Sequence, residues 1–198
     1  MTGFPYTKTD LLGDFWGIVE QTILQFGSKD LIVTKIGSLT FSQVWSISNL
    51  VFHHIQNVTK KTKTGVGIFA RDPRVTIPCM LGVMKAKDYF VMLDVTLPET
   101  ALLSMIKDAN IKIILTTAQF VNTIRNMVDE SVKVIDLDSL DAALKIETPQ
   151  VNYSPEDVIQ IIYTSGSTGK PKGVIEDYRY LIRSVVTRRE AYSFNSHD

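Results

Sequence analysis

The sequence is poor in cysteine, since Cys79 is the only one among its 198 residues. A single cysteine excludes a disulfide within the chain and predicts a reducing, cytoplasmic environment. Cys79 lies in an apolar run over residues 77–83. We therefore interpret it as a core residue and not as a reactive thiol.

Long apolar runs and an excess of charge are also missing. No stretch approaches the ~20 apolar residues of a membrane-spanning helix. Asp10, Asp14 and Glu20 interrupt the N-terminal region, which therefore lacks the apolar core of a signal peptide. The 21 Lys and Arg residues balance 21 Asp and Glu residues. The composition thus predicts neither a membrane protein nor a partner for nucleic acid.

Histidine is scarce, with three in the chain. Two of them, His53 and His54, are neighbours in a predicted helix, where adjacent side chains point in different directions and are poor joint metal ligands. A solvated or helix-capping role suits them better. The sequence predicts no metal ligands within the chain.

The sequence does contain a regular alternation of short apolar segments and amphipathic ones. The apolar segments predict strands over 31–33, 38–41, 66–70, 89–93, 111–115, 132–135, 158–162 and 174–175. The amphipathic ones predict helices over 11–26, 41–58, 73–85, 97–109, 117–127 and 140–144, and a last helix after Asp177. Alternation with short connections predicts an α/β fold with a parallel, doubly wound sheet and flanking helices.

Capping residues mark where several of these helices are expected to begin. Capping boxes are predicted at Thr40 with Gln43, Thr96 with Glu99, and Thr116 with Gln119. Asp72 precedes Pro73, which combines a capping side chain with proline at the first helical position. Asp177 is the expected cap of the last helix.

One loop departs from this pattern. It follows the apolar run 158–162, which we interpret as a strand buried on both faces. Residues 164–174 then contain three glycines, four hydroxyl residues and two lysines. Glycines allow backbone N–H groups to approach a ligand, so this inventory predicts a polyphosphate-binding loop over the alternative of a ligand-free flexible loop. It is not a Walker A loop, because Pro171 follows Gly169 and Lys170.

Residues 163–174 resemble the phosphate loop of the adenylate-forming superfamily, which includes acyl-CoA synthetases, luciferases and the adenylation domains of nonribosomal peptide synthetases. Residues 39–44 resemble the family pattern Leu-Thr-Tyr-x-Glu-Leu. Residues 84–94 resemble Leu-Lys-Ala-Gly-Gly-Ala-Tyr-Val-Pro-Leu-Asp, a pattern of the amino-acid-activating branch. The resemblance extends from about Phe15 to Leu181. It implies that residues 1–198 are a partial N-terminal subdomain of an AMP-binding domain, with the C-terminal parts absent.

The resemblance implies a ligase reaction. In this family a carboxylate attacks the α-phosphate of Mg-ATP, which yields an acyl-adenylate and pyrophosphate, and the acyl group then passes to a carrier-protein thiol or to CoA. By this resemblance Lys172 is the catalytic cation. The residues assigned to the nucleotide phosphates are Thr164, Ser165, Gly166, Ser167, Thr168, Gly169 and Lys172. Lys170 is expected to face solvent, and the carboxylate ligand of Mg²⁺ is expected beyond this chain.

The chain also departs from the family pattern at structural turns. Lys87 and Asp88 replace glycines, Met92 and Val95 replace prolines, and Tyr178 replaces a common histidine. Because the phosphate loop itself matches throughout, we interpret the chain as a distant member that keeps nucleotide binding.

Three functions remain open on the sequence alone. The first is the front portion of an adenylating ligase, inactive alone because the family's substrate pocket, adenine site and C-terminal lysine come later in its sequence. The second is a non-catalytic relative that binds a nucleotide or a protein, and the third is an unrelated phosphate-binding protein. The missing part of the sheet predicts exposed apolar surface and, unless a partner chain covers that surface, self-association or marginal stability.

Overall fold

The structure is a computed structural model that describes residues 8–59, 63–141, 146–164 and 171–192. The helices are α1 (Lys8–Phe26), α2 (Phe41–Thr59), α3 (Pro73–Lys85), α4 (Glu99–Asp108), α5 (Ala118–Met127) and α6 (Tyr178–Tyr192). The strands are β1 (Asp30–Thr34), β2 (Gly37–Thr40), β3 (Gly65–Phe69), β4 (Tyr89–Met92), β5 (Ile111–Thr116), β6 (Lys133–Asp136), β7 (Val158–Thr164) and β8 (Lys172–Asp177). The α/β alternation predicted from the sequence is confirmed.

The strands form two sheets. β1 and β2 make an antiparallel hairpin, and the other six strands form one sheet in the order β6-β5-β3-β4-β7-β8. Strands β3 to β7 are parallel to their neighbours, as predicted, but β8 is antiparallel to β7. The seven residues 165–171 that separate these two strands are too few for a parallel crossover, which needs a dozen or more.

Helices cover both faces of the large sheet. Val66, Ile68 and Ile113 belong to a buried cluster with side chains of α1, α2 and α3. Val91 and Ile114 belong to a second cluster with side chains of α4 and α5. The strand side chains alternate between these clusters, which confirms the doubly wound arrangement.

Cys79 belongs to the first cluster and is 1% exposed. Burial raises the pKa of its thiol well above the usual range, so the thiolate does not form near neutral pH. The prediction of a core cysteine is confirmed.

Strand β7 is less buried than its sequence predicts. Ile159 is 1% exposed, but Ile162 is 42% exposed. The β7–β8 register shifts between Val158 and Gln160, and Ile159 packs with α1 and α6 while Ile161 packs on the α4 and α5 side. The prediction of a strand enclosed on both faces is wrong, because Ile162 lies in none of the clusters that the described helices form with the sheet.

Side chains cap three helices as expected. The Thr40 N–H donates to Gln43 Oε1 at 2.8 Å, and the Gln43 N–H donates to Thr40 Oγ1 at 3.2 Å, which completes the capping box at α2. Asp72 accepts from the Arg74 N–H at the start of α3, and Asp177 Oδ1 accepts from the third residue of the helix that follows it, at 2.8 Å. These three helix starts are confirmed.

The other two capping boxes are wrong. The N–H and hydroxyl of Thr96 donate to Asp94 Oδ1, so α4 begins later and has no side-chain cap. The Thr116 hydroxyl donates to the Phe69 carbonyl oxygen across the sheet, and at the start of α5 the Ala118 N–H donates instead to Asp138 Oδ2 at 2.8 Å. In both cases a tertiary or turn partner takes the hydroxyl that the sequence pattern assigned to the helix.

Two further expectations concern segments near the limits of the described residues. The helix predicted over 140–144 falls mostly outside them, and a single 3₁₀ turn, Leu137–Ser139, lies just before it. None of the helices in the described part of the chain has the length and apolarity needed to cross a membrane.

Lys87 is one of the departures from the family pattern, and its backbone conformation is one that glycine adopts more readily. Its φ is +60°, a conformation that costs an L-residue with a side chain roughly 1–2 kcal/mol. In return its ammonium, on a side chain 45% exposed, lies 3.6 Å from Asp157 Oδ2, on a side chain 13% exposed, in a partly exposed ion pair of modest value.

Lys87→Gly is therefore expected to raise the free energy of unfolding by roughly 0.5–1 kcal/mol, measured by urea denaturation. Asn110→Gly is the matched control, because Asn110 also has positive φ (+45°) but tolerates it better as an asparagine. A loss of stability in Lys87→Gly would show that the Asp157 ion pair outweighs the backbone strain.

Candidate functional site

The candidate site lies where β7 ends and β8 begins. Thr164 is the last residue of β7, Lys172 is the first residue of β8, and the two are partners in the antiparallel ladder. Both are exposed, and the Thr164 hydroxyl lies 3.5 Å from the Lys172 carbonyl oxygen. The structure thus brings together two of the site residues that the sequence predicts, at a strand terminus. The other five, Ser165, Gly166, Ser167, Thr168 and Gly169, lie outside the described residues.

The site lies at the edge of the sheet that the fold class favours for ligands. In open α/β sheets, ligands bind beyond the carboxyl ends of the parallel strands. β3 and β5 are neighbours in the sheet. β4, which follows β3 in the chain, lies on one side of this pair, and β6, which follows β5, lies on the other side. This reversal of strand order marks a switch point. Thr164 lies at the same edge, because β7 is parallel to its neighbour β4.

Thr164 and Lys172 share one face of the β7–β8 hairpin with two other residue pairs. Gln160 faces Glu176, and the Gln160 amide donates a hydrogen bond to the Glu176 carboxylate. Between these pairs lie Ile162, 42% exposed, and its partner Val174, 48% exposed. The face therefore offers a hydroxyl and an ammonium at its tip beside open apolar surface.

The opposite face of the hairpin is held against α4. Tyr163 is paired with Gly173, and its hydroxyl donates to Asp108 Oδ2 at 2.5 Å. A Cβ on Gly173 would lie 3.3 Å from Tyr163 Cζ and 3.0 Å from Ile161 Cγ2, so the ring lies over the glycine. Burial and the Asp108 carboxylate raise the pKa of Tyr163 well above its usual range, which keeps the hydroxyl protonated as a donor.

The charges at the site suit an anion. No ion pair of Lys172 is found with any residue of the described ranges. At the same sheet edge Asp94 follows β4, and hydrogen bonds from Thr96, with Arg71 nearby, lower the pKa of its carboxyl. The Asp94 carboxylate thus accepts hydrogen bonds from Thr96 within its own turn.

The described residues contain no group of three or more His, Cys, Asp and Glu side chains that could hold a metal ion. His53 and His54 lie on α2 with ring centroids 5.6 Å apart and planes at 89°. Burial is the larger cause that lowers the pKa of His54, and the charge of the neighbouring His53 is the smaller one.

Tyr178, which replaces a common histidine, lies away from the site. It follows β8, at the end of the strand opposite to Lys172. It is 2% exposed, and its ring stacks on Tyr153 with a centroid distance of 4.9 Å. The tyrosine therefore packs in the core between β7 and α6, and this departure leaves Thr164 and Lys172 unaffected.

Sequence reasoning missed two features, one at the site and one in the core. Asp108 is 55 residues before Tyr163, and only the fold brings the two together. Lys85 is buried, with its Nζ donating to Ser48 Oγ at 2.7 Å and Asn49 Oδ1 at 2.5 Å. Helical spacing gave no clear signal for Lys85, because a lysine in the last turn of a helix is ordinarily exposed.

Comparison with known proteins gives consistent results. The family model described as AMP-binding enzyme matches residues 19–198. Zwittermicin A synthase ZmaJ of Bacillus cereus is 28% identical over 181 residues, covering 91% of this chain and 34% of the relative. The nonribosomal peptide synthetase easA of Emericella nidulans is 32% identical over 162 residues, covering 80% of this chain and 2% of the relative. The chain thus spans about a third or less of these relatives.

Solved structures match the fold. The fatty acid AMP ligase of Legionella pneumophila aligns with a TM-score of 0.77 and 19% identity, over 91% of this chain and 33% of that one. The nonribosomal peptide synthetase FmoA3, bound to α-methyl-L-serine-AMP, aligns with a TM-score of 0.76 and 17% identity, over 86% of this chain and 19% of that one. The fold is that of the N-terminal portion of adenylate-forming ligases.

Proposed function

The chain belongs to the AMP-binding enzyme family, and from that premise we propose that it is the N-terminal part, with a phosphate loop at 163–174, of an ATP-dependent adenylating ligase. The proposed reaction joins a carboxylic acid to AMP and releases pyrophosphate. The observation that carries the proposal is the Thr164–Lys172 pair, which places a hydroxyl and an ammonium on either side of the glycine loop at the carboxyl end of β7.

The two described residues of the site have separate roles in the proposal. Lys172 is the catalytic cation: an ammonium at a fixed strand position stabilises the charge that develops on the departing pyrophosphate. The Thr164 hydroxyl donates to a phosphate oxygen and helps to orient the nucleotide. ATP supplies the AMP group and the leaving pyrophosphate, and the proposed Mg²⁺ takes its carboxylate ligands from outside this chain.

An amino acid is the proposed substrate, and a carrier-protein thiol or CoA the proposed acceptor. The relative easA, which is named as a nonribosomal peptide synthetase, supports the amino acid and the carrier protein. A cytoplasmic location is part of the same proposal and rests on the single cysteine, which allows no internal disulfide.

Substrate-dependent exchange between ATP and labelled pyrophosphate tests the function. We expect exchange from the full-length gene product when it is supplied with its cognate amino acid. Residues 1–198 alone are proposed to give none, because they span about a third or less of relatives such as ZmaJ. A full-length protein that binds ATP but catalyses no exchange with any amino or fatty acid would refute the ligase proposal.

A second candidate function is a protein-interaction module that does not catalyse adenylation. Exposed apolar side chains at the sheet edge favour it: Ile162 is 42%, Val174 48% and Ile175 66% exposed. β8 is the edge strand of the sheet as described, and exposed apolar edge strands pair readily with other chains. We propose that residues 1–198 self-associate through β8.

Ile175→Lys is expected to convert residues 1–198 from dimers or larger species into monomers, because a charge on an exposed edge opposes strand pairing. Size-exclusion chromatography with light scattering measures the change. Leu24→Lys is the control, since Leu24 is 83% exposed on α1, away from β8. A wild-type chain that is monomeric at high concentration contradicts the proposed self-association.

A further inference from the structure

The β7–β8 hairpin is weakly attached to the rest of the sheet near its tip. The ladder between β4 and β7 has a single register pair, Phe90 with Gln160. In contrast, β7 and β8 stay paired from Val158 as far as Thr164 and Lys172. The last rungs of the hairpin, which carry the two described site residues, therefore depend on other contacts for their position.

The Tyr163–Asp108 hydrogen bond provides such a contact one rung before the tip. At 2.5 Å between the tyrosine oxygen and Oδ2 it falls in the range of charge-assisted O–H···O⁻ bonds, which are stronger than neutral ones. Asp108 is the last residue of α4, and α4 is anchored on the sheet by Leu102, Met105 and Ile106, all of them buried. The hydroxyl thus connects the hairpin to a fixed part of the fold.

Gly173 makes this contact possible. A Cβ there would lie 3.3 Å from Cζ and 3.4 Å from the hydroxyl oxygen of Tyr163. These distances are at the tight end of van der Waals contact, so a side chain at this position would require the ring to shift by a few tenths of an ångström. The lack of a side chain at Gly173 and the hydroxyl of Tyr163 therefore both contribute to the contact with Asp108.

We propose that the Tyr163–Asp108 tether, defined by these two residues, positions Thr164 and Lys172 for the nucleotide phosphates. The inference rests on the proposed function and assigns Tyr163 and Asp108 as positioning residues. Loss of the tether leaves both site residues in the protein but allows the tip of the hairpin to move. Binding of ATP must then order Thr164 and Lys172. Because this ordering costs free energy, the affinity for ATP falls although no contact to ATP is removed.

Tyr163→Phe tests the tether, with Tyr89→Phe as a matched control. The Tyr89 hydroxyl donates to the Ala109 carbonyl oxygen at 2.9 Å, so it binds the same end of α4 from strand β4. Each variant loses one tyrosine hydroxyl and one hydrogen bond at that helix end. Any difference between them therefore reports on the hairpin and not on the stability of α4.

Two measurements on the full-length protein separate the outcomes. In Tyr163→Phe we expect faster amide hydrogen exchange in residues 158–164 and 171–177, and a roughly 3- to 10-fold weaker Kd for ATP, the range for one lost hydrogen bond. The KM of the acid substrate should stay unchanged. Tyr89→Phe should leave both the hairpin exchange and the ATP affinity at wild-type values, and Gly173→Ala should resemble Tyr163→Phe.

Equal hairpin exchange in wild type and Tyr163→Phe overturns the tether. Faster exchange with unchanged ATP affinity overturns the positioning role. A wild-type protein that does not bind ATP refutes the proposed function and the positioning role together, and hydrogen exchange then still decides whether the tether holds the hairpin.

Discussion

Replacement of Lys172 by alanine is expected to reduce the rate of ATP–pyrophosphate exchange in the full-length protein on the order of 100-fold, the effect of removing one fixed group that stabilises developing charge. The structure supports this size of effect because Lys172 is held in the β7–β8 ladder opposite Thr164. Within the described ranges it has no ion pair to lose. The variant should therefore fold as the wild type does.

The control for this variant is Lys170→Ala, which removes the same charge from the same loop. The resemblance to adenylate-forming enzymes predicts that Lys170 faces solvent, so its loss should change exchange less than about 3-fold, as expected for a screened surface charge. Equal losses in the two variants would mean that the loop acts through its overall charge. Unchanged exchange in Lys172→Ala would refute its assignment as the catalytic cation.

The free energy of unfolding is expected to pass through a minimum near pH 7, which is unusual for a globular protein. Two buried ionisable groups cause it. Lys85 and Asp88 are each 2% exposed, and in the described structure neither makes an ion pair. Burial lowers the pKa of Lys85 to about 7, partly offset by Glu20, and burial raises the pKa of Asp88 to about 7.

The two groups act in adjacent pH windows. Between about pH 4 and 7 the folded state keeps the Asp88 proton that the unfolded state releases, so stability falls as pH rises. Between about pH 7 and 10.5 the folded state has already lost the Lys85 proton that the unfolded state keeps, so stability rises with pH. Each pKa unit corresponds to about 1.4 kcal/mol.

The fall in the free energy of unfolding up to pH 7 (the acidic limb) and its rise above pH 7 (the alkaline limb) are expected to be a few kcal/mol each. The Trp45 ring centroid, 3.3 Å from Lys85 Nζ, favours the cation and reduces its limb below the value from burial alone. His54, whose pKa is lowered, adds a small slope of opposite sign below pH 6.5. Above pH 10 the raised pKa values of tyrosines such as Tyr178, at about 12, turn the curve down again.

Urea denaturation between pH 4.5 and 9.5 measures the curve, and two variants assign its limbs. Asp88→Asn should flatten the acidic limb, since an amide keeps the place of Oδ1, which accepts from the Thr64 N–H at 2.8 Å. Lys85→Met should flatten the alkaline limb. If both variants retain the wild-type pH dependence of the free energy of unfolding, Lys85 and Asp88 do not cause that dependence.

Much of the fold follows from local patterns in the sequence. The Thr40–Gln43 capping box and the Asp72 and Asp177 caps have their partners within three residues, so local spacing suffices to predict them. The period-two and helical patterns likewise place the strands and helices of the parallel sheet, because one face of each must be buried.

The misses have two physical causes: a local turn partner takes the Thr96 hydroxyl, and a partner far away in the sequence decides the others. The Thr116 hydroxyl was assigned to a helix cap but bonds the Phe69 carbonyl oxygen, 47 residues away. The apolar run of β7 was expected to be enclosed, yet Ile162 is exposed, because whether a helix packs over that face is decided by the fold and not by the strand's own sequence. In the site, local composition predicts the loop over 164–174, the family resemblance singles out Thr164 and Lys172, and Asp108 enters only through the fold.

An experimental structure of the full-length protein with Mg²⁺ and α,β-methylene-ATP, which cannot be cleaved at the α-phosphate, tests the account most directly. We expect the triphosphate at the carboxyl end of β7, within hydrogen-bond distance of Thr164 Oγ1 and Lys172 Nζ. A triphosphate bound elsewhere on the sheet, with both of these atoms facing solvent, would contradict it.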